Sequence, residues 1–167
     1  MRVLLVVESH YGNTRKVADA VAEGLLPHDV ILEDVWQAVP PTQVVDLLVV
    51  GGPTHAHGMS RAGTRRTARE DHPDGQEVHA GIREWLDRLP AVERRPAAAF
   101  DTRIARPRLL TGSASHGMSR RLRQRGYRLL DASESFLVEA SEGPIAVGEL
   151  ERARAWGSRL AGLLAGR

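Results

Sequence analysis

The sequence of 167 residues contains no cysteine, which excludes disulfide bonds, thiolate metal ligands and cysteine nucleophiles. It has no apolar run near the roughly 20 residues that cross a bilayer, and it begins with a strand-like pattern in place of a signal peptide. We therefore expect a cytoplasmic protein without a membrane segment. Its length and its apolar fraction of 42% are typical of one globular domain, here residues 1–167.

Aromatic residues and lysines are also scarce: aromatics make up 4% of the chain, and Lys16 is the one lysine among 23 basic residues. The arginines concentrate in residues 59–130, whose net charge is +8, and residues 102–127 hold seven arginines and no acid. Such a patch can attract phosphates or an acidic partner, although a solvated helix face is the commoner explanation. Because no aromatic residue is interleaved with these arginines, bases would lack a stacking platform, and we do not expect nucleic-acid binding.

Residues 1–14, which read MRVLLVVESHYGNT, contain the pattern around which the rest of the chain is organised. The apolar and partly β-branched run at residues 3–7 predicts a strand buried on both faces. Small polar residues and Gly12 follow it directly. An apolar residue then recurs every fourth position, which predicts an amphipathic helix carrying Val17, Val21 and Leu25.

The junction of this strand, glycine loop and helix is suited to a phosphate group. Backbone N–H groups at a helix start lack partners within the helix, and the helix dipole adds positive charge there. Ser9, Asn13 and Thr14 would add side-chain donors, while Gly12 can adopt positive φ. The alternative at this stage is that Asn13 or Thr14 merely caps the helix.

The remaining chain alternates between strand and helix patterns, which predicts a doubly wound parallel α/β sheet. We predict further strands at residues 29–35, 46–51 and 97–100, and a fifth in two parts, 127–130 and 136–138, with a bend near Asp131. Helical patterns cover residues 82–89, begin again near Met118, and follow Pro144. Residues 60–77 form a polar excursion with some helical character.

Polar loops follow three of the predicted strands, at residues 8–14, 52–58 and 101–104. Doubly wound sheets bind ligands outside the carboxyl ends of their strands, at the point where the strand order reverses. We therefore expect these three loops to meet in one site.

The motif SHYGNT at residues 9–14, called the phosphate loop below, resembles the Ser/Thr-x-Thr-Gly-Asn-Thr loop of the flavodoxin-like family of FMN-binding proteins. Tyr11 departs from that pattern and is similar to the quinone-reductase branch of the family. The segment DLLVVGGPTHAHG at residues 46–58 is similar to the third strand and the first flavin-ring loop of the family, and FDTR at residues 100–103 occupies the place of the second ring loop. The resemblance covers nearly the whole chain.

This resemblance implies a three-layer fold with a parallel sheet of order 2-1-3-4-5, and non-covalently held FMN. The dinucleotide fingerprint G-x-G-x-x-G is absent, which favours FMN over NAD. Carried over residue by residue, the resemblance implies a phosphate site and two ring-contacting segments, made of Ser9, His10, Tyr11, Gly12, Asn13, Thr14, Pro53, Thr54, His55, Asp101, Thr102 and Arg103.

The family resemblance implies electron transfer, with a redox partner protein or a small quinone-like acceptor. The second ring loop lacks the aromatic residue that many flavodoxins stack on the flavin, and the chain is basic where electron-shuttling flavodoxins are acidic. One alternative is therefore an FMN-dependent quinone reductase, for which a homo-oligomer is expected. A second alternative is an arginine-rich binding module on the same scaffold without flavin.

Two other chemistries are disfavoured by spacing. The histidines near the predicted site, His10, His55, His57 and His116, lack convincing metal-ligand spacing, so we predict no metal site. Ser113 and Ser115 do not meet the nucleophile pattern G-x-S-x-G, and we interpret one of them as the N-cap of the helix that follows.

Overall fold

A computed structural model describes residues 1–41, 45–55, 58–60, 81–106 and 111–166. In this part of the chain it contains seven strands: β1 Arg2–Val7, β2 Asp29–Asp34, β3 Leu47–His55, β4 Gly58–Met59, β5 Pro96–Ile104, β6 Arg128–Leu129 and β7 Glu134–Val138. Its four helices are α1 Asn13–Gly24, α2 Ile82–Asp87, α3 Ala114–Gln124 and α4 Glu149–Ala165.

The sheet has the order β2-β1-β3-β5-β6, and all pairs along this path are parallel. β6 pairs with the first residues of β5, while β7 pairs with its later residues from Phe100 onward. The two short strands therefore share one position beside β5, which confirms the predicted order and the divided fifth strand. At the bend between them, the Ala132 N–H donates to Asp131 Oδ1 over 2.8 Å.

Helices cover both faces of the sheet. Alternate residues of β1 pack on opposite sides, because successive side chains of a strand point to opposite faces. Val3 and Leu5 join the core cluster under α1 and α4, whereas Leu4 and Val6 join the cluster under α2 and α3. This arrangement confirms the three-layer α/β fold and the burial of β1 on both faces.

Two strands are longer than predicted. β3 continues to His55 and β5 to Ile104, whereas the sequence patterns placed their ends at Gly51 and Phe100. The two strands stay paired as far as Pro53 and Thr102, and β3 then pairs with β4 in a short antiparallel hairpin. Asp101, Thr102 and Arg103 therefore lie on a strand, and the predicted loop 52–58 begins as strand.

Two helix starts also differ from the prediction. α3 begins at Ala114 and not near Met118, because side chains from β3 and β5 accept hydrogen bonds from its first N–H groups. α4 begins at Glu149, because the chain after Pro144 first runs beside β7, where Ile145 bridges Val138. Apart from Ser60, the predicted excursion at 60–77 lies outside the described residues, as do His57 and the side chain of His55. None of the described helices is long and apolar enough to span a membrane.

Candidate functional site

A cleft lies at the carboxyl ends of β1, β3 and β5, with about 460 Å³ of empty space that is partly open to solvent. Eight of the twelve residues predicted for the site line it: His10, Tyr11, Asn13, Thr14, Pro53, Thr54, Thr102 and Arg103. Ile104, Val138 and Ser141 complete its lining. Sequence reasoning missed Val138 and Ser141, at the end of β7 and just after it, because no motif marks this segment.

The start of α1 forms one wall of the cleft. Gly12 is the N-cap residue, with φ +81°, and the first turn of the helix contains no acidic residue. Neither Asn13 nor Thr14 is the cap, so the capping alternative is wrong. Ser9 Oγ accepts a hydrogen bond from the Arg15 N–H over 3.2 Å, which closes the phosphate loop onto the first helical turn.

Asn13 and Thr14 are both buried. Asn13 Nδ2 has no hydrogen-bond partner within the described part of the chain, although a buried amide ordinarily has one. Gly143, with φ +107°, packs against it so closely that a Cβ there would lie 2.8 Å from Asn13 Oδ1. Thr14 Oγ1 lies 2.8 Å from Thr102 Oγ1, and this contact ties the phosphate loop to β5.

Arg103 supplies a positive charge to the cleft from β5. Its Nη1 donates to the Arg106 carbonyl oxygen over 2.6 Å and more weakly to Thr111 Oγ1 at 3.4 Å. Its Nε is buried and has no partner among the described residues. The guanidinium is therefore held by the chain beyond β5 through Nη1.

Asp101 does not line the cleft, because its buried side chain turns toward the start of α3. Its Oδ2 accepts hydrogen bonds from Thr54 Oγ1 at 3.1 Å, Ser113 Oγ at 2.8 Å and the Ser115 N–H at 2.8 Å. The Ala114 N–H donates to Thr54 Oγ1. Ser113 occupies the predicted N-cap position, but its side chain makes no capping bond; Thr54 and Asp101 cap the helix from β3 and β5.

Glu8 is a fully buried carboxylate beneath the phosphate loop, and sequence reasoning gave it no role. It lies 2.7 Å from His10 Nε2 through Oε1 and accepts the Ile82 N–H through Oε2 at 2.8 Å. Burial acts to raise the pKa of Glu8, but hydrogen bonds from His10, the Ser60 hydroxyl and the Ile82 N–H outweigh it and leave the pKa below the ordinary value. Glu8 is therefore ionised at neutral pH.

His55 lies at the end of β3, where its backbone pairs with Gly58. Among the described residues, no three His, Cys, Asp or Glu side chains are grouped so that they could hold a metal ion. Ser9, Gly12 and Asp101 are predicted site residues that do not line the cleft, and the side chain of His55 lies outside the described part of the chain.

Two flavodoxins of known structure share the architecture of this chain over almost their whole length. A flavodoxin from the domain Archaea has a TM-score of 0.67 and 16% identity, with 99% of each chain covered. Flavodoxin 1 from Bacillus cereus has a TM-score of 0.69 and 14% identity over 100% of this chain and 99% of its own. The chain has the flavodoxin-like fold.

A flavodoxin described as WrbA-like, from Agrobacterium tumefaciens, is also similar, with a TM-score of 0.63 and 20% identity over 99% of this chain and 98% of its own. No protein-family model matches the sequence, and no curated protein does so either. In this flavodoxin-like fold the strand order reverses between β1 and β3, so the cleft lies at the switch point where doubly wound sheets bind ligands.

Proposed function

We propose that the chain binds FMN non-covalently in the cleft and transfers electrons. The observation that carries this proposal is the meeting of the phosphate loop, the end of β3 and the end of β5 around one cleft. Residues far apart in sequence supply its lining, and the flavodoxin-like fold binds ligands at this edge of the sheet. Fold alone does not establish function, so the proposal depends on the chemistry of these residues.

The chemistry of the residues that line the cleft suits a mononucleotide. The start of α1, without an acid in its first turn, favours a phosphate, and Asn13 Nδ2, which has no partner among the described residues, is a donor for it. Pro53, Ile104 and Val138 supply apolar surface for a ring. Tyr11 is the aromatic residue among the described lining residues.

The residues of the chain would bind and orient the cofactor, which itself supplies the electron-transfer chemistry when bound. The phosphate loop would hold the phosphate through backbone N–H groups and the Asn13 amide. Pro53 and Ile104 would exclude water from the ring. The Arg103 guanidinium would favour negative charge on the part of the ligand that lies near it.

The proposal is tested by FMN binding to the purified protein and to Asn13→Asp. The variant keeps the shape of Asn13 but puts a carboxylate where we expect the phosphate, so FMN affinity should fall at least about tenfold by charge repulsion. Riboflavin, which lacks the phosphate, should lose less affinity. Gln124→Glu adds the same charge at an exposed residue of α3 and is the matched control.

We expect the wild-type protein to retain flavin absorbance after excess FMN is removed. We also expect Asn13→Asp, but not Gln124→Glu, to bind FMN more weakly. Unchanged FMN fluorescence on titration of the wild-type protein would overturn the proposal. Equal losses for Asn13→Asp and Gln124→Glu would place the phosphate elsewhere.

The second candidate is an FMN-dependent quinone reductase, which Tyr11 in the phosphate loop favours. The acceptor would then be a small quinone-like molecule and not a redox partner protein. The rate at which different acceptors reoxidise the chemically reduced, FMN-loaded protein distinguishes the two candidate functions. Faster reaction with benzoquinone than with a one-electron protein acceptor, together with a homo-oligomer in solution, would favour the reductase.

A further inference from the structure

We infer that the turn after β7, residues 139–144, belongs to the ligand site, and that Gly143 in this turn positions the Asn13 side chain for a phosphate group. This inference rests on the proposed function and deepens it, because it makes phosphate binding depend on a segment outside the three predicted loops. Gly143 is then a positioning residue that acts through Asn13.

The turn borders the cleft at the carboxyl end of β7. Val138, the last residue of β7, and Ser141, within the turn, both line the cleft. The Ala105 N–H donates to the Val138 carbonyl oxygen over 2.8 Å, which joins the end of β7 to the chain just beyond β5. The turn therefore faces the same space as the phosphate loop and the end of β5.

Backbone hydrogen bonds hold the turn in its shape. The Glu139 N–H donates to the Pro144 carbonyl oxygen over 2.9 Å and closes the turn at its base. Within the turn, the Gly143 N–H donates to the Ala140 carbonyl oxygen over 3.0 Å. The backbone of Gly143 is therefore fixed, because moving it would break these bonds.

Gly143 packs against the side chain of Asn13, the first residue of α1. A Cβ on Gly143 would lie 2.8 Å from Asn13 Oδ1 and 3.0 Å from Asn13 Nδ2. Both distances are well inside van der Waals contact, so the clash is the same whichever way round the amide is turned. The missing side chain at residue 143 therefore leaves the room that the Asn13 amide occupies.

The position of this amide matters for a ligand in the cleft. Asn13 lines the cleft and is buried, and its Nδ2 has no partner among the described residues. A buried amide donor ordinarily has a partner, and an acceptor bound in the cleft would supply one. At the start of α1 the helix dipole favours an anion, so a phosphate is the acceptor that suits both features.

A methyl group on residue 143 should displace the amide and not the turn. The Asn13 side chain can change its rotamer, whereas the turn would lose backbone hydrogen bonds. Gly143→Ala should therefore lower FMN affinity roughly tenfold or more, the loss expected for one hydrogen bond to a charged group. Riboflavin, which has no phosphate, should lose less affinity.

Gly143 has φ +107°, so the backbone strain of alanine at positive φ needs a matched control. Gly148→Ala is that control, because Gly148 has φ +81° and a Cβ there would meet nothing within 4 Å. Both variants carry the strain, but only Gly143→Ala carries the clash with Asn13. Gly148→Ala should bind FMN like the wild type, and an equal loss of affinity in the two variants would overturn the inference.

A double-mutant cycle tests whether Gly143 acts through Asn13. Asn13→Ala removes the amide, so adding Gly143→Ala in this background should change FMN affinity by less than about twofold. An undiminished loss in that background would overturn the inference. In the wild type, a nuclear Overhauser effect between the Gly143 Hα protons and the Asn13 side-chain amide protons tests the packing without any variant, and its absence would also count against the inference.

The outcomes separate this inference from the proposed function. Equal FMN affinity of the wild type and Gly143→Ala overturns the inference and leaves the proposed function standing. No FMN binding to the wild type overturns both.

Discussion

Asp101 shows how one buried side chain joins the candidate site to the fold. A single oxygen, Oδ2, accepts hydrogen bonds from Thr54, Ser113 and the backbone of Ser115. Thr54 lines the cleft, while Ser113 and Ser115 begin α3. Its other oxygen, Oδ1, is buried without a partner among the described residues. The Asp101 side chain faces α3. The contact with the flavin ring that the resemblance implied for Asp101 stays a prediction.

Asp101→Asn should destabilise the fold by about 1.5–3 kcal/mol, because hydrogen bonds to a buried charged group are lost or weakened. Urea unfolding at neutral pH measures the change. Asp19→Asn removes a carboxylate that is 51% exposed in its pair with Arg15, and it should cost less than about 0.5 kcal/mol. Equal effects of the two substitutions would contradict the account of Asp101.

Glu8 predicts a pH dependence of stability. Its pKa in the folded protein lies below the ordinary value of 4.5, so its contribution is present above that pH and is lost as the pH falls through the folded pKa. The free energy of unfolding of the wild type should therefore exceed that of Glu8→Gln by the same amount at about pH 5 as at neutral pH. This difference should become smaller toward about pH 3. Urea unfolding across this range measures it, and a difference that widens on the acid side would contradict the prediction.

At the scale of elements, the close packing of α1 against α4 depends on two glycines. A Cβ on Gly24 would lie 2.1 Å from the Arg154 carbonyl oxygen, and one on Gly157 would lie 2.3 Å from the Val21 carbonyl oxygen. Both glycines lie inside or at the end of helices, where glycine is otherwise unfavourable. The close contact between α1 and α4 at these glycines holds α1, and with it the phosphate loop, against the sheet.

Gly157→Ala should destabilise the protein by about 1–3 kcal/mol, because the added methyl group forces the two helices apart. Helix propensity by itself predicts the opposite sign, a gain of about 1 kcal/mol. Gly162→Ala on the same helix, where a Cβ would meet nothing within 4 Å, is the control and should be neutral or stabilising. Thermal unfolding of both variants decides between packing and propensity.

At the scale of the whole molecule, the arginines of residues 59–130 reach both ends of the sheet: Arg103 lines the cleft, and Arg128 lies at the opposite end. Arg128 pairs with Pro96, the first residue of β5, whereas the cleft is lined by Thr102, Arg103 and Ile104 at its end. Six strand residues separate these positions, on the order of 20 Å. The arginine-rich binding module stays a prediction, and on α3 Arg121 already pairs with Asp87 over 2.9 Å.

FMN should stabilise the whole fold, since its proposed site joins segments that are distant in sequence. Binding to the folded state alone adds about 2.7 kcal/mol when free FMN is 100 times its dissociation constant. Thermal unfolding with and without FMN measures the shift, and Asn13→Asp should reduce it at equal FMN concentration. A shift of the same size in the variant would contradict the role of the phosphate loop.

Much of the architecture was predictable from local patterns. The apolar run of β1 is buried on both faces, and Val17, Val21 and Leu25 lie in the core under α1. These patterns are reliable because burial imposes the strand and helix periods directly on the sequence. The positive φ of Gly12 was likewise predictable, since few other residues adopt it.

The sequence by itself determined the order of elements, the phosphate loop and the edge of the sheet at which the site lies. Tertiary structure alone decided that β3 and β5 continue to His55 and Ile104, that Thr54 and Asp101 cap α3, and that Glu8 holds His10. The physical reason is the range of the interactions. Periodicity and turn chemistry act between near neighbours, whereas these contacts join residues that become neighbours only when the sheet has formed.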